Sequence, residues 1–167
     1  MTTSDIQIVP GKVAGLTEAI VKLHMDYYRP ASGFGAAFER VVGDGLSEFL
    51  PHLGNPINQI WSLQNDKGIL GSIAIDGEDL GAGTAHLRWF IVGEFARGGG
   101  WGQRLLETAL RFCDQKDFSE VHLWTFEGLD AARALYEKFG FSLVEQQEGD
   151  QWGTVVTEEK FVKKPSN

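Results

Sequence analysis

Hydrophobic and polar residues alternate with two different periods along the chain, and the succession of these periods predicts a mixed α/β fold. Residues 13–29 carry apolar side chains at every third or fourth position, from Leu16 to Tyr27, which is the spacing of one helix face. Other apolar runs are short and bounded by turn residues, as in strands. The sequence Asn65-Asp66-Lys67-Gly68 between two such runs is typical of a hairpin turn.

The predicted elements follow the order β-α-α-β-β-β-α-β-α-β-β. The predicted strands are residues 6–9 (at a sheet edge), 59–64, 69–76, 84–92, 121–126, 141–146 and 153–162. The predicted helices are residues 13–29, ended by Pro30, and residues 36–50, 101–114 and 130–139. This order lacks the repeated β-α-β unit that a dinucleotide-binding oxidoreductase would show.

The composition is that of an enzyme-sized globular protein. With 167 residues, of which 43% are hydrophobic and 23% charged, the chain fits a single domain over residues 1–167. The first residues lack the features of a secretion signal, and no apolar stretch reaches the length of a membrane span. We therefore expect a cytoplasmic protein that does not bind membranes. The net charge of −8, without a basic cluster, is unfavourable for binding nucleic acid.

The cysteine and histidine spacings predict no disulfide, reactive thiol or metal site. The one cysteine, Cys113, cannot form an internal disulfide, which is consistent with a reducing compartment. Its helical spacing from Leu106 and Leu110 predicts a small buried residue rather than a reactive thiol. None of the four histidines has the spacing of a metal ligand, so no metal is expected.

A glycine-rich segment carries the strongest functional signal. Arg97-Gly98-Gly99-Gly100-Trp101-Gly102 follows an apolar strand and leads into a helix. A helix start leaves N–H groups without partners, and glycines let a phosphate approach the backbone, so the segment predicts an anion site. A dinucleotide loop would need glycine where Gln103 or Leu105 stands, and the Gly-Lys-Ser/Thr of a triphosphate loop does not occur.

The run Arg-x-x-Gly-x-Gly resembles the pyrophosphate loop of the GNAT acyltransferases. Two further segments resemble the same family in the same order: Phe90-Ile91-Val92 is similar to its fourth strand, and the ten residues from Ala132 to Phe141 are similar to its second cofactor motif. Leu123-Trp124-Thr125 and Trp152-Gly153 are similar to GNAT domains fused to MarR-type regulators.

The resemblance implies the GNAT fold: a central mixed, largely antiparallel sheet with flanking helices, splayed between the strands at 84–92 and 121–126. It implies acetyl-CoA as the cofactor, with the pantetheine arm in the gap. The family commonly has asparagine where Leu129 stands, so one cofactor contact is missing. The implied cofactor contacts are Phe90, Ile91, Val92, Arg97, Gly98, Gly99, Gly100, Trp101, Gly102, Gln103, Ala132 and Tyr136.

The resemblance implies direct transfer of the acetyl group to a primary amine of a small molecule or peptide in a ternary complex. Tyr136 lies where relatives often carry the acid; the alternative is a core tyrosine with one structural hydrogen bond. His86 lies where some relatives carry a catalytic glutamate; the alternative is deprotonation through water. On the strand, His86, Arg88, Phe90 and Val92 are expected to share one face. A backbone N–H of residues 90–92 would stabilise the oxyanion.

Acceptor residues are expected on the first two helices and their loop, because this part of the fold usually sets specificity in the family. His24, Tyr27, Tyr28 and Phe34 would wall the acceptor pocket together with Arg88; the alternative is that they are core and edge residues. Trp61, Trp89, Trp124 and Trp152 are expected mainly in the core. A second functional class stays open, a module that binds acyl-CoA without catalysis. A homodimer is possible.

Overall fold

The computed structural model describes residues 5–32 and 34–164, and within these residues seven strands and four α-helices follow the predicted order. The strands are β1 Gln7–Pro10, β2 Gln59–Asn65, β3 Gly68–Asp76, β4 Thr84–Val92, β5 Glu120–Phe126, β6 Phe141–Gly149 and β7 Val156–Lys163. The helices are α1 Leu16–Ser32, α2 Ala36–Phe49, α3 Trp101–Gln115 and α4 Asp130–Lys138.

All seven strands form one sheet in the order β1-β2-β3-β4-β5-β7-β6. Every neighbouring pair is antiparallel except β4 and β5, which are parallel. The predicted edge position of β1 and the predicted hairpin of β2 and β3 are confirmed. The architecture agrees with the fold that the family resemblance implies, a central, largely antiparallel mixed sheet with flanking helices.

The sheet opens between its two parallel strands, as expected. Pairing joins Thr84–His86 of β4 to Glu120–His122 of β5 and then stops. Beyond this point β5 stays paired with β7 on its other side as far as Phe126. The gap therefore lies between the second halves of β4 and β5, where backbone groups can accept an extended ligand.

A β-bulge interrupts β4 beside this gap. Ala74 of β3 pairs with Arg88, whereas Ser72, two residues earlier, pairs with Ile91, so β4 contains one extra residue over the stretch. Trp89 adopts a φ of 48°, and its carbonyl accepts a hydrogen bond of 2.6 Å from the buried hydroxyl of Ser72. The buried serine thus satisfies a carbonyl that the bulge removes from the regular ladder.

The bulge makes one prediction wrong. His86 and Arg88 belong to the side of β4 that faces α2, and the Arg88 Nη2 atom lies 3.1 Å from where a Cβ on Gly45 would be. Phe90 and Val92 instead pack beside Gly102 of α3, in the core on the opposite face. The four side chains do not share one face, because alternation with period two holds only along an unbroken strand.

Two apolar cores cover the two faces of the sheet. One lies beneath α1 and α2 and includes Ile20, Phe34 and Leu46; the other lies beneath α3 and α4 and includes Leu105 and Cys113. Burial raises the pKa of the Cys113 thiol to about 12, which confirms the predicted unreactive position. Among the described residues, no helix has the length and apolar character needed to cross a membrane.

The first helix differs from its predicted bounds at both ends. It begins at Leu16 rather than at residue 13, because Gly15 has a φ of +73°, which a helix does not accommodate. It continues to Ser32, so the prediction that Pro30 ends it is wrong.

Candidate active site

A central cavity of about 380 Å³ opens at the gap between β4 and β5. Its walls come from α1 and α2, from β4 and β5, from α4 and from the loop before β7. The lining residues are His24, Tyr28, Phe38, Val41, Val42, Leu80, His86, Leu87, Arg88, Trp89, Phe90, Leu123, Trp124, Thr125, Phe126, Tyr136, Gln151 and Trp152. The predicted acid, the predicted base and three of the predicted acceptor residues therefore share one cavity.

The glycine loop, residues 97–102, lies beyond the end of β4 and leads into α3. Gly98 and Gly100 adopt φ values of +84° and +79°, which only glycine adopts without strain. No atom lies within 4 Å of where a Cβ would be on either residue. The backbone N–H groups of residues 98–103 have no hydrogen-bond partner within residues 5–32 and 34–164. The loop is thus an open cradle of N–H donors at a helix start.

Arg97 is already engaged by neighbouring groups. Its Nε donates a hydrogen bond of 2.9 Å to the Val92 carbonyl, and its guanidinium lies 4.6 Å from the centre of the Tyr27 ring. Its backbone N–H donates to the carbonyl of Glu94. Arg97 therefore fastens the loop to the end of β4 and to α1, and only its Nη groups could reach a phosphate.

Lys138 places a second cation near the start of α3. Its Nζ donates a hydrogen bond of 2.8 Å to Oε1 of Gln103, whose Nε2 in turn donates to Glu107. Sequence reasoning missed Lys138 because this residue lies on α4, 35 residues after Gln103. Its position within the segment that resembles the second cofactor motif is the signal that could have identified it.

Tyr136 of α4 extends its ring into the core and lines the cavity. The ring centres of Phe90, Phe141 and Phe161 lie 5.8 to 6.1 Å from that of Tyr136. Burial, reinforced by the charge of a deprotonated Tyr28, raises the pKa of Tyr136 above its usual value. The phenol is therefore protonated at neutral pH. No hydrogen bond of its hydroxyl is found within residues 5–32 and 34–164, and no fully buried polar side-chain atom there lacks a partner, so the hydroxyl is open to the cavity rather than held by a structural bond.

His86 is oriented by a carboxylate from the turn between β3 and β4. Its Nδ1 lies 2.7 Å from Oδ2 of Asp79, and its ring packs edge-on against Trp124 at 5.0 Å. Because an ionised carboxylate can only accept, Nδ1 carries the proton and the Nε2 of a neutral His86 retains a lone pair. The turn is itself fixed by Asp76, whose Oδ1 accepts from the N–H groups of Glu78 and Asp79.

Charges around Asp79 keep it ionised. Burial alone would raise the pKa of Asp79, but the hydrogen bond and charge of His86 and the charge of Arg88 outweigh it and lower that pKa. Arg88 is in turn paired with the largely buried carboxylate of Asp76 at 3.4 Å and lies 4.1 Å over the ring of Trp89. Asp76, Asp79, His86 and Arg88 thus form one connected polar cluster at the cavity wall.

Residues 17–141 match the family model described as the acetyltransferase (GNAT) family. The chain belongs to this family. No curated protein sequence matches it. None of the comparisons supports the predicted likeness to GNAT domains fused to MarR-type regulators.

Solved structures of low identity share the fold of this GNAT chain. An N-acetyltransferase from Staphylococcus aureus Mu50 superposes with a TM-score of 0.78 at 16% identity, over 96% of this chain and 99% of that one. An acetyltransferase from Streptococcus agalactiae 2603 superposes with a TM-score of 0.70 at 20% identity, over 96% of this chain and 98% of that one. A ribosomal-protein-alanine N-acetyltransferase from Brucella melitensis superposes with a TM-score of 0.73 at 14% identity, over 96% of this chain and 99% of that one.

The predicted acceptor residues of the GNAT chain divide into two groups. His24, Tyr28 and Arg88 line the cavity. Phe34 does not: it is fully buried and stacks on Phe38 in the core beneath α1 and α2, so its prediction as a direct acceptor contact is wrong. Tyr27 lies outside the lining, beneath the guanidinium of Arg97. Neighbouring residues of α1 point in different directions, which separates Tyr27 from Tyr28.

His24 is a neutral hydrogen-bonding group in this GNAT cavity. Its Nδ1 donates over 2.7 Å to the carbonyl of Ile20, which leaves Nε2 as an acceptor. Burial lowers the pKa of His24 from 6.5 to about 4, against a smaller opposing effect of the Ile20 hydrogen bond. His24 is therefore uncharged at neutral pH and is a weak base.

This lowered pKa predicts a loss of stability in acid. The unfolded chain binds a proton at His24 below pH 6.5, whereas the folded chain does so only near pH 4. Above pH 6.5 the free energy of unfolding should have its full value. It should fall by about 3 kcal/mol as the pH drops from 6.5 to 4. Urea unfolding at several pH values would measure it. The same slope in His24→Gln, which cannot titrate, would refute the assignment.

Two features of the GNAT site escaped sequence reasoning. Asp79 is not among the predicted site residues, although the hairpin register, with Asp76 opposite His86, brings the turn before β4 back to the histidine. Trp152 is expected in the core, but it lies in the loop before β7, which begins at Val156, and there it lines the cavity. The spacing of the hairpin residues could have indicated that Asp79 lies near His86. The glycines at positions 149 and 153 could have indicated that Trp152 lies in a loop.

Proposed function

We propose that the chain transfers the acetyl group of acetyl-CoA to a primary amine of a small molecule or peptide by direct attack in a ternary complex. The observation that carries the proposal is that the gap between β4 and β5 leads into the same cavity that holds His86 and Tyr136. A cofactor arm in this gap and an amine in the cavity would meet between a group able to accept a proton and a group able to donate one.

The residues present fit acetyl-CoA. The free N–H groups of residues 98–103 and the open space at Gly98 and Gly100 suit a pyrophosphate, and Lys138 adds positive charge nearby. Backbone groups of residues 90–92 border the gap and would hold the pantetheine arm, with Ala132 beside it on α4. Leu129 offers no side-chain amide at the start of α4, so the glycine loop must supply more of the affinity.

Each catalytic role can be assigned to a group in the cavity. Bound acetyl-CoA would supply the acetyl group as a thioester, so that an N–C bond forms with the amine while the C–S bond breaks and the sulfur gains a proton. His86 accepts the amine proton at Nε2, and Asp79 holds the imidazole in the tautomer this requires. Tyr136 donates from its hydroxyl to the departing sulfur. A backbone N–H of residues 90–92 stabilises the oxyanion.

Asp79→Asn tests the orientation of His86. An asparagine amide can donate to Nδ1 and favour the wrong tautomer, so kcat should fall on the order of tenfold or more, without a change in acetyl-CoA affinity. Asp66→Asn, in the exposed turn between β2 and β3, is the matched control. In a His86→Ala background, Asp79→Asn should have no further effect. An independent loss in that background would show that Asp79 does not act through His86.

Two measurements in one sample test the proposed function. Calorimetry would measure acetyl-CoA binding, and a thiol reagent would then follow the release of coenzyme A in the presence of a panel of amines. Binding together with amine-dependent thiol release supports the transferase. Binding without release from any amine favours the second candidate, an acyl-CoA sensor, which the missing asparagine at Leu129 supports. Absence of binding would overturn both.

A further inference from the structure

We propose that the acceptor is an arylalkyl monoamine: one primary amine attached by a short chain to an aromatic ring, without a carboxylate or a second ammonium group. The inference rests on the proposed function, because it names the substrate class of that same site. Three observations support it: the aromatic lining of the cavity, the way its one lining arginine is paired, and the fixation of the loop that closes it.

Aromatic side chains dominate the cavity. Eight of its eighteen lining residues are phenylalanine, tyrosine or tryptophan, against 11% of the chain as a whole. Four of them form a connected surface: the ring centre of Tyr28 lies 5.4 Å from that of Phe38 and 5.5 Å from that of Phe126, and the ring centre of Phe126 lies 5.6 Å from that of Trp152. A planar ring on the acceptor can extend this array in the same edge-to-face geometry.

The polar cluster disfavours a substrate carboxylate. Arg88 is the only lysine or arginine among the described residues that line the cavity. Its charge is already shared by two carboxylates, Asp76 at 3.4 Å and Asp79 at 4.0 Å. A carboxylate bound to Arg88 would lie close to both of these anions and would be repelled by them. The cavity therefore offers no favourable position for the acid group of an amino acid.

The lining also disfavours a polyamine. No aspartate or glutamate is found among the described lining residues, and the nearby carboxylates of Asp76 and Asp79 are already paired with Arg88 and His86, so a second ammonium group of the acceptor would find no unpaired opposite charge. A single amine avoids this cost, because it is the group that His86 deprotonates. Its aromatic end would occupy the part of the cavity formed by Tyr28, Phe38 and Trp152, on the side of the sheet covered by α1 and α2.

The loop that carries Trp152 is held in place before any ligand binds. The backbone N–H and the Nε2 of Gln151 donate to the two carboxylate oxygens of Glu158 on β7, at 3.2 and 2.9 Å. Glu158 is itself buried. Trp152 is therefore presented as a preorganised wall rather than as a mobile side chain, and preorganisation favours a rigid aromatic group over a flexible aliphatic one.

Matched acceptors test the inference on the unaltered protein. We would compare 2-phenylethylamine with phenylalanine, which adds a carboxylate, with hexylamine, which lacks the ring, and with spermidine, which adds ammonium groups. The value of kcat/KM for 2-phenylethylamine should exceed the other three by about tenfold or more. Equal values, or a preference for any of the other three, would overturn the proposal.

A binding measurement separates this inference from the proposed function. Trp89, Trp124 and Trp152 line the cavity, so intrinsic fluorescence should change when 2-phenylethylamine binds in the presence of coenzyme A. A selective response without thiol release would support the acceptor class and refute the catalytic role. No response to 2-phenylethylamine, or a stronger response to phenylalanine or spermidine, would overturn the acceptor class whether or not thiol is released.

A substitution in the aromatic wall adds a local test. Trp152→Leu should raise the KM or the Kd for 2-phenylethylamine about tenfold and leave acetyl-CoA affinity unchanged. Phe112→Leu on α3 is the control, because Phe112 is a partly buried aromatic residue outside the cavity lining. An unchanged acceptor affinity in folded Trp152→Leu would contradict the proposal. If Trp152→Leu does not fold, the comparison of acceptors on the unaltered chain decides.

Discussion

Gly100→Val should weaken acetyl-CoA binding by about 10- to 100-fold. Gly100 precedes α3 at a φ of +79°, where a β-branched residue is strongly disfavoured, so the backbone would turn away and withdraw N–H groups from the phosphate. A hydrogen bond to a charged group contributes about 1.5–3 kcal/mol, and the loss of one therefore corresponds to at least a tenfold change in affinity. Calorimetric titration with acetyl-CoA measures the change.

Gly15→Val is the matched control for this substitution. Gly15 has a φ of +73° and, like Gly100, no atom within 4 Å of where its Cβ would be, but it lies before α1. Both variants should lose a similar free energy of unfolding, about 1–3 kcal/mol, from the strained backbone. Only Gly100→Val should lose cofactor affinity. Equal affinities for the two variants would show that the glycine loop does not hold the pyrophosphate.

The order of elements and the open, positive-φ geometry of the glycine loop were predictable because they rest on local signals. Periodicity identifies helices and strands, and glycines before a helix identify an anion site, whatever the rest of the chain does. The strand bounds 84–92 agree with β4 because a turn and a glycine limit the strand on either side. The opening between β4 and β5 could not be derived from periodicity, and was expected only from the family resemblance.

The acceptor side was harder to predict because its geometry depends on tertiary contacts. The bulge at Trp89 has no sequence signature within β4; it requires the Ser72 hydroxyl on β3 and the absence of a side chain at Gly45, where a Cβ would lie 3.0 Å from the Trp89 ring. The glycine that weakens the helical pattern of α2 is thus explained by its neighbour in space. Of the four tryptophans expected mainly in the core, only Trp61 is buried there, and the other three line the cavity.

The electrostatic cluster shows the same limit. Asp76, Asp79 and Arg88 could be located along the chain, but their partnership with His86 depends on the hairpin register between β3 and β4. A shift of one residue would turn His86 towards the opposite core. Sequence could therefore nominate the histidine as a base, whereas the structure supplies the carboxylate that makes Nε2 the accepting atom.

Tyr136→Phe should lower kcat about 100-fold and leave acetyl-CoA affinity and stability close to those of the parent. The ring keeps its contacts with Phe90, Phe141 and Phe161, so the substitution removes one hydroxyl and little packing. Donation by a positioned side chain commonly contributes about 10²–10⁴-fold to the rate. Thiol release under saturating acetyl-CoA and amine measures kcat, and calorimetry measures the affinity.

The pH dependence of the rate and a control substitution at Tyr27 decide whether a loss of kcat in Tyr136→Phe reflects the loss of a proton donor. Because burial raises the pKa of Tyr136, the parent should show no loss of rate from deprotonation of this phenol below about pH 10, its unperturbed value. Tyr27→Phe is the control, since Tyr27 lies on α1 outside the cavity and its ring, not its hydroxyl, contacts Arg97. Turnover in Tyr136→Phe equal to that in Tyr27→Phe would remove Tyr136 as the donor. The departing sulfur would then have to take its proton from water, and the aromatic cavity would serve only to hold the acceptor.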